Sequence, residues 1–157
     1  MFPEMRRFRQ QLPVSECEEI LSAGRRGVLS VNGPDGYPYG MPVNFLYEDG
    51  KIYFHGASFG SRVECLKKDQ RACFTVYEAG KPSRNKRGFD VRSVIVFGKI
   101  SRVEDAEKKT GILRNLGLKY FPDDPEYVEH EIEKSGNAAL VTVLSVEHMT
   151  GKLVNES

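Results

Sequence analysis

The chain has 157 residues, of which 39% are hydrophobic and 29% charged, and its formal net charge is +1. That length suffices for one domain with its own core, expected over 1–157 with the compact part at about 6–152, and the near-neutral balance excludes a whole-protein basic footprint for nucleic acid. No apolar run approaches the roughly 20 residues that span a bilayer, and three cysteines without a C-x-x-C pair suggest neither a disulfide framework nor a metal site.

The first eleven residues, MFPEMRRFRQQ, carry basic side chains with no apolar segment behind them. Neither export nor membrane anchoring is therefore expected, and a reducing cytoplasm is the simplest location. Ser15 followed by Glu18 has the spacing of a capping box, which predicts a helix from there to about Ala23, ended by Gly24. A strand is expected from Gly27 to Val31, then a turn at Gly33-Pro34-Asp35-Gly36, where proline fixes one dihedral and glycine permits positive ones.

From Tyr39 to Tyr47 the alternation predicts one strand, with Tyr39, Met41, Val43, Phe45 and Tyr47 on one face and Gly40, Pro42, Asn44 and Leu46 on the other. Pro42 cannot donate to a ladder, so this strand belongs at an edge or a bulge, where a ligand can approach the backbone. Glu48-Asp49-Gly50 is a hairpin turn, and Ile52 to His55 is its return strand. A short helix from Ser61 to about Lys68 follows, then a strand from Arg71 to Tyr77.

A basic loop, Ala79 to Asp90, holds Lys81, Arg84, Lys86 and Arg87. It reads as a solvated loop or a rim over a site; without interleaved aromatics it lacks the stacking platform of a nucleic-acid binder. A long strand is expected at Val91 to Val103, then helices over Asp105 to Leu116, ended by Gly117, and from Asp124-Pro125 onward. A last strand, Ala138 to Val146, is apolar on both faces and hence central. About six strands joined by connections too short for parallel crossovers favour an antiparallel barrel.

The stretch FHGASFGSRVECL, Phe54 to Leu66, concentrates the chemistry. Ser61 and Glu64 fit a second capping box. The same helix start, with Arg62 beside its free N–H groups and with Gly56 and Gly60 allowing close approach, also suits a phosphate. His55 has both protonation states within reach near neutral pH and is the candidate catalytic group. No Ser/His/Asp order, paired carboxylates or HExxH points to hydrolysis or to a metal.

Taken together, the Gly-Pro-Asp-Gly turn, YGMPVNFLY, DGKIYFHGA, GSRVECL and DVRSVIVFGKISRVED resemble the pyridoxamine 5′-phosphate oxidase-like FMN-binding split-barrel superfamily, within it the nitroimidazole-resistance branch. The resemblance spans about Arg6 to Lys152. It implies a mainly β fold, a six-stranded antiparallel Greek-key split barrel that forms a homodimer with FMN at the subunit interface. It places the flavin phosphate on Ser61 and Arg62, with Val63 where the oxidases often carry a second basic residue. The isoalloxazine ring would lie along Pro42, Val43 and Asn44, with His55, Gly56, Ser93 and, from the HMTGK segment, Lys152 also at the flavin. The implied activity is reduction of a small organic acceptor, nitro-aromatic or quinone-like, with NADH or NADPH as donor. The alternative is a flavin-binding or flavin-sensing protein with little turnover.

Overall fold

The computed structural model describes residues 1–84 and 87–155. After a single 3-10 turn at Phe8–Gln10, strand β1 (Gln11–Leu12) leads into helix α1 (Val14–Ala23). Pro13 is the N-cap and Ser15 lies inside the first turn, so the capping box expected at Ser15 and Glu18 does not form. Proline supplies the same start by a different route, because its missing N–H sits where the helix has no acceptor to offer. Gly24 does end the helix, and a β-carbon there would stand 2.8 Å from Val76 and 2.9 Å from the Ile20 carbonyl.

Strand β2 (Gly27–Asn32) and strand β3 (Pro38–Val43) pair as a hairpin, with Asp35 and Gly36 at positive φ in the turn between them. The single strand expected from Tyr39 to Tyr47 is broken: β3 stops at Val43 and β4 (Leu46–Glu48) restarts after Asn44 and Phe45. The faces are as the alternation predicts. Tyr39, Met41, Val43, Phe45 and Tyr47 all pack into one core, while Leu46 joins another. Asp49 and Gly50, both at positive φ, form the two-residue turn to β5 (Lys51–Gly56).

Helix α2 (Ser61–Lys68) and β6 (Arg71–Tyr77) follow. The basic segment is a small hairpin in its described part, because β7 (Lys81–Pro82) pairs with the start of β8 (Phe89–Arg102); Lys86 lies outside the described residues. Helix α3 (Ala106–Tyr120) starts on the Asp105 carboxylate, which accepts from the Lys108 N–H at 2.7 Å. It continues through Gly117 instead of ending there. Glycine at that point lets α4 (Pro125–Ser135) approach, since a β-carbon would fall 2.6 Å from Val128. Asp124 caps α4 with Pro125 in its first turn, as expected. Strand β9 runs from Leu140 to Asn155, well past the expected end at Val146, and takes in the whole HMTGK segment. Gly151 within it admits the Cys17 thiol of α1, which would lie 2.4 Å from a β-carbon.

Every ladder is antiparallel. The sheet runs β3-β2-β6-β8-β9-β5-β4, and β9 is central, as its two apolar faces require. Pro42 falls on an edge strand, opposite Val28 of β2 and with no strand on its other side, which is where a sheet tolerates a residue without an N–H. Among the described residues nine strands replace the expected six, because the broken strand counts twice and because β1 and β7 add two residues each. The two edge strands are consecutive in the chain, so the curled sheet is joined end to end by Asn44 and Phe45 and by no β3–β4 ladder: a split barrel.

Phe45, Phe54 and Phe74 are fully buried and meet edge to face at the centre of the main core, which α1 and α2 cover. A smaller cluster of Leu46, Tyr53, Val103, Ile112, Leu116 and Val141 lies on the other side of the sheet under α3. Among the described residues no helix is long and apolar enough to cross a membrane.

Candidate functional site

Strand β5 sends Ile52 and Phe54 into the main core and Tyr53 and His55 to the opposite face. There His55 meets the exposed side of the β3 end. Arg26, Pro42, Val43, Asn44 and His55 line a recess of about 360 Å³. The His55 ring keeps access to solvent, yet surrounding protein displaces enough water to lower its pKa, with the Arg62 charge adding to the effect. Its neutral form is therefore favoured.

The break that frees Asn44 from the sheet is held by the end of α3. The Phe45 N–H donates to the Tyr120 hydroxyl at 3.0 Å, and the Phe45 carbonyl accepts from Lys119 Nζ at 3.0 Å. The Tyr120 hydroxyl also bonds the Arg25 carbonyl, and the Lys119 ammonium stands 4.0 Å over the Phe45 ring. Both backbone groups of Phe45 are thus satisfied off the ladder, as burial demands. Burial first, and Arg25 second, lower the Lys119 pKa to about 8.

At the start of α2 the N-cap is Gly60, at φ 111°, with no side-chain cap. The capping box expected between Ser61 and Glu64 is absent: Ser61 is already the first helical residue, and the Glu64 carboxylate turns to Lys67 at 2.9 Å. The first-turn N–H groups are left without a side-chain acceptor. Arg62 folds back over Gly56, where a β-carbon would lie 2.2 Å from its Nη2. Burial lowers the Arg62 pKa against a smaller opposing influence of Tyr39, and among the described residues no carboxylate lies within ion-pair distance of it. A half-buried guanidinium without a counter-charge beside uncapped helix N–H groups suits an anion.

Ser93 and Lys152 lie elsewhere. They are cross-strand partners on β8 and β9 and line a groove of about 340 Å³. Residues 2–5 roof this groove, with the Phe2 ring stacked on His148 at 4.7 Å. One chain therefore brings Pro42, Val43, Asn44 and His55 into one recess, with Gly56 and Arg62 adjoining through His55 and Ser61 opening the same helix, but it does not bring Ser93 and Lys152 to them. Sequence reasoning missed Arg26, Lys119 and Tyr120. The Arg25-Arg26 pair before β2 is a signal for the first; nothing local marks the other two. It also missed a cavity of about 290 Å³ between α3 and α4, which Asn44 and His55 line at one end.

The sequence profile of the family described as "Pyridoxamine 5'-phosphate oxidase" matches residues 13–153. The chain belongs to the pyridoxamine 5′-phosphate oxidase family. No curated protein matches it. Among solved structures, a candidate 5-nitroimidazole antibiotic resistance protein from Bacteroides thetaiotaomicron aligns with TM-score 0.75 and 23% identity over 91% of this chain and 86% of that one. The flavocytochrome Anf3 from Azotobacter vinelandii aligns with TM-score 0.79 and 24% identity over 97% and 72%. An FAD-binding protein from Mesorhizobium loti aligns with TM-score 0.65 and 22% identity over 93% and 98%. At these identities the likeness is one of fold, and the split barrel of this member of the pyridoxamine 5′-phosphate oxidase family is common to all three.

Proposed function

We propose that the protein is an FMN-dependent oxidoreductase that reduces a small organic acceptor, nitro-aromatic or quinone-like, with NADH or NADPH as donor. The observation that carries this reading is Arg62: desolvated, without a carboxylate at ion-pair distance among the described residues, and folded over a glycine at an uncapped helix start. Arg62 and the first-turn N–H groups at Ser61 hold the phosphate. Pro42, Val43 and Asn44 offer a flat edge to the ring, because Pro42 has no N–H to direct elsewhere and Asn44 has left the ladder. Family membership and the flavin-bearing names among the fold relatives favour the same cofactor class.

When bound, the flavin supplies two-electron transfer between donor and acceptor. The protein's own part is placement and proton supply. His55, mostly neutral at pH 7, donates or accepts one hydrogen bond at the acceptor, and Arg26 adds positive charge at the same recess. Ser93 and Lys152, in a separate groove, contribute to a flavin site through a second copy of the chain, so the working unit is a homodimer.

The test is the visible spectrum of the purified protein and the mass of whatever dissociates from it, followed by FMN titration of the stripped protein. FMN release, and bleaching by NADPH with acceptor-dependent return of colour, support the proposal. Bound FMN that the nicotinamides do not reduce leaves a flavin-binding protein with little turnover. Absence of FMN binding rejects the cofactor and the activity together.

A further inference from the structure

We infer that the cavity between α3 and α4 binds a neutral, flat, single-ring aromatic molecule, which under the proposed function is the electron acceptor. Helix α4 is hard to explain as a shield for the core. It buries only Val128 fully, and none of its residues belongs to either hydrophobic cluster. Its apolar residues Tyr127 and Ile132 instead face Leu113 and Leu116 of α3 across the cavity, with Ala139 alongside.

The size and charge of the cavity narrow the occupant. About 290 Å³ stands at the lower edge of the usual range for small-molecule pockets, roughly 300–1,000 Å³, so the ligand is small. Gly117 of α3 lies against the Val128 side chain of α4, where a β-carbon would fall 2.6 Å away, and helices so closely spaced leave a narrow space suited to a flat ring. Phe121 and Tyr127, packed edge to face with centroids 5.1 Å apart, add aromatic walls. Among the described residues Glu131 is the one carboxylate in the lining, paired at 3.8 Å with Lys134 outside it, and no lysine or arginine lines the cavity itself. A phosphate or carboxylate ligand is disfavoured there, and the flavin itself is directed to the Arg62 end.

The cavity also adjoins the proposed flavin recess. Asn44 and His55 line both spaces, so they form the partition between them. A ligand in the slot ends against the imidazole and the amide, which are its hydrogen-bonding groups at that end, while the Tyr120 hydroxyl is already held by backbone.

The probes are 4-nitrobenzyl alcohol and 4-nitrobenzoate, which share a ring and differ in charge, measured by calorimetry on the purified protein with its cofactor and again after cofactor removal. The alcohol is expected to bind at least ~10-fold more tightly than the benzoate, since one like charge nearby costs about 1.4 kcal/mol. Glu131→Gln should narrow that ratio, and Ala139→Phe should weaken the alcohol at least ~10-fold by filling the space, with cofactor content unchanged. Ser135→Trp, from an exposed position at the cavity edge, serves the same purpose if the first variant fails to fold. Equal binding of the two probes that Glu131→Gln leaves alone, or binding that neither filling variant weakens, overturns the assignment. If the stripped protein rejects FMN yet binds the alcohol with the same sensitivity to the variants, the chamber stands and the flavin reading falls. FMN binding without alcohol binding rejects the chamber and leaves the flavin reading standing.

Discussion

Gly56 and Arg62 act as one unit. The guanidinium occupies the place a side chain at residue 56 would take, so Gly56→Ala must push Arg62 aside while leaving the fold intact. FMN affinity should fall about 10-fold, and Arg62→Ala, which removes a charge-assisted contact of about 2 kcal/mol, should lower it roughly 30-fold. Titration of stripped protein, followed by flavin fluorescence, checks both. His55 makes a separate prediction. Its folded pKa lies below the ordinary 6.5, so the unfolded chain binds the proton more readily and stability falls as pH drops below about 6.5. His55→Asn should lose less thermal stability than the parent between pH 7 and pH 5; an equal loss would show that His55 does not titrate this way. The helix start at Ser61 was legible because a serine-led start after a strand end is a local pattern. The capping box was misplaced by one residue for a reason the pattern does not hold: Gly60, at φ 111°, takes the cap position and leaves Ser61 inside.

At the scale of elements, what could be read had a short period or a local partner. The face assignment of Tyr39 to Tyr47 needed only alternation. The break at Asn44 and Phe45 did not show, because the groups that hold Phe45 out of the ladder, Lys119 and Tyr120, lie 74 and 75 residues away. Strands β1 and β7 are too short to have a period. The end of α3 was misplaced because a glycine stops a helix in local reasoning, while Gly117 serves a crossing with α4. That crossing is testable: Gly117→Ala improves helix propensity by about 1 kcal/mol, yet crowding against Val128 should turn the net effect into a loss of about 1–3 kcal/mol, read as a lower denaturation midpoint. Lys119 offers a second check. With its pKa at about 8 in the folded chain, the unfolded state holds the proton longer, so stability should rise as pH climbs from about 8 towards the ordinary 10.5. Lys119→Met should remove that rise, measured by urea unfolding at pH 7.5 and 9.5.

For the whole molecule, the two halves of the expected flavin site and the side of the sheet that residues 2–5 partly cover point the same way. The inner faces of β6, β8 and β9 carry Phe74, Val94, Val96 and Leu144 into the core. The other faces of β6 and β8 leave Tyr77, Ile95 and Phe97 exposed, the last two beside residues 2–5 with the Phe2 ring 5.1 Å from that of Phe97, and Ser93 and Lys152 lie among these residues. An apolar face of two adjacent strands is more than scattered surface hydrophobicity, and it surrounds the two residues expected at the flavin that one chain leaves away from His55. A second copy docked on this face would cover the apolar side chains and carry its own recess towards Ser93 and Lys152. Phe97→Asp places a charge in the middle of that face without touching the core, since Phe97 already faces outward. Sedimentation should then show a dimer for the parent and a monomer for the variant, and FMN affinity should fall together with the dimer fraction at each protein concentration. A variant that turns monomeric while keeping full FMN affinity would show that one chain makes the whole flavin site, and Ser93 and Lys152 would lose their place in it.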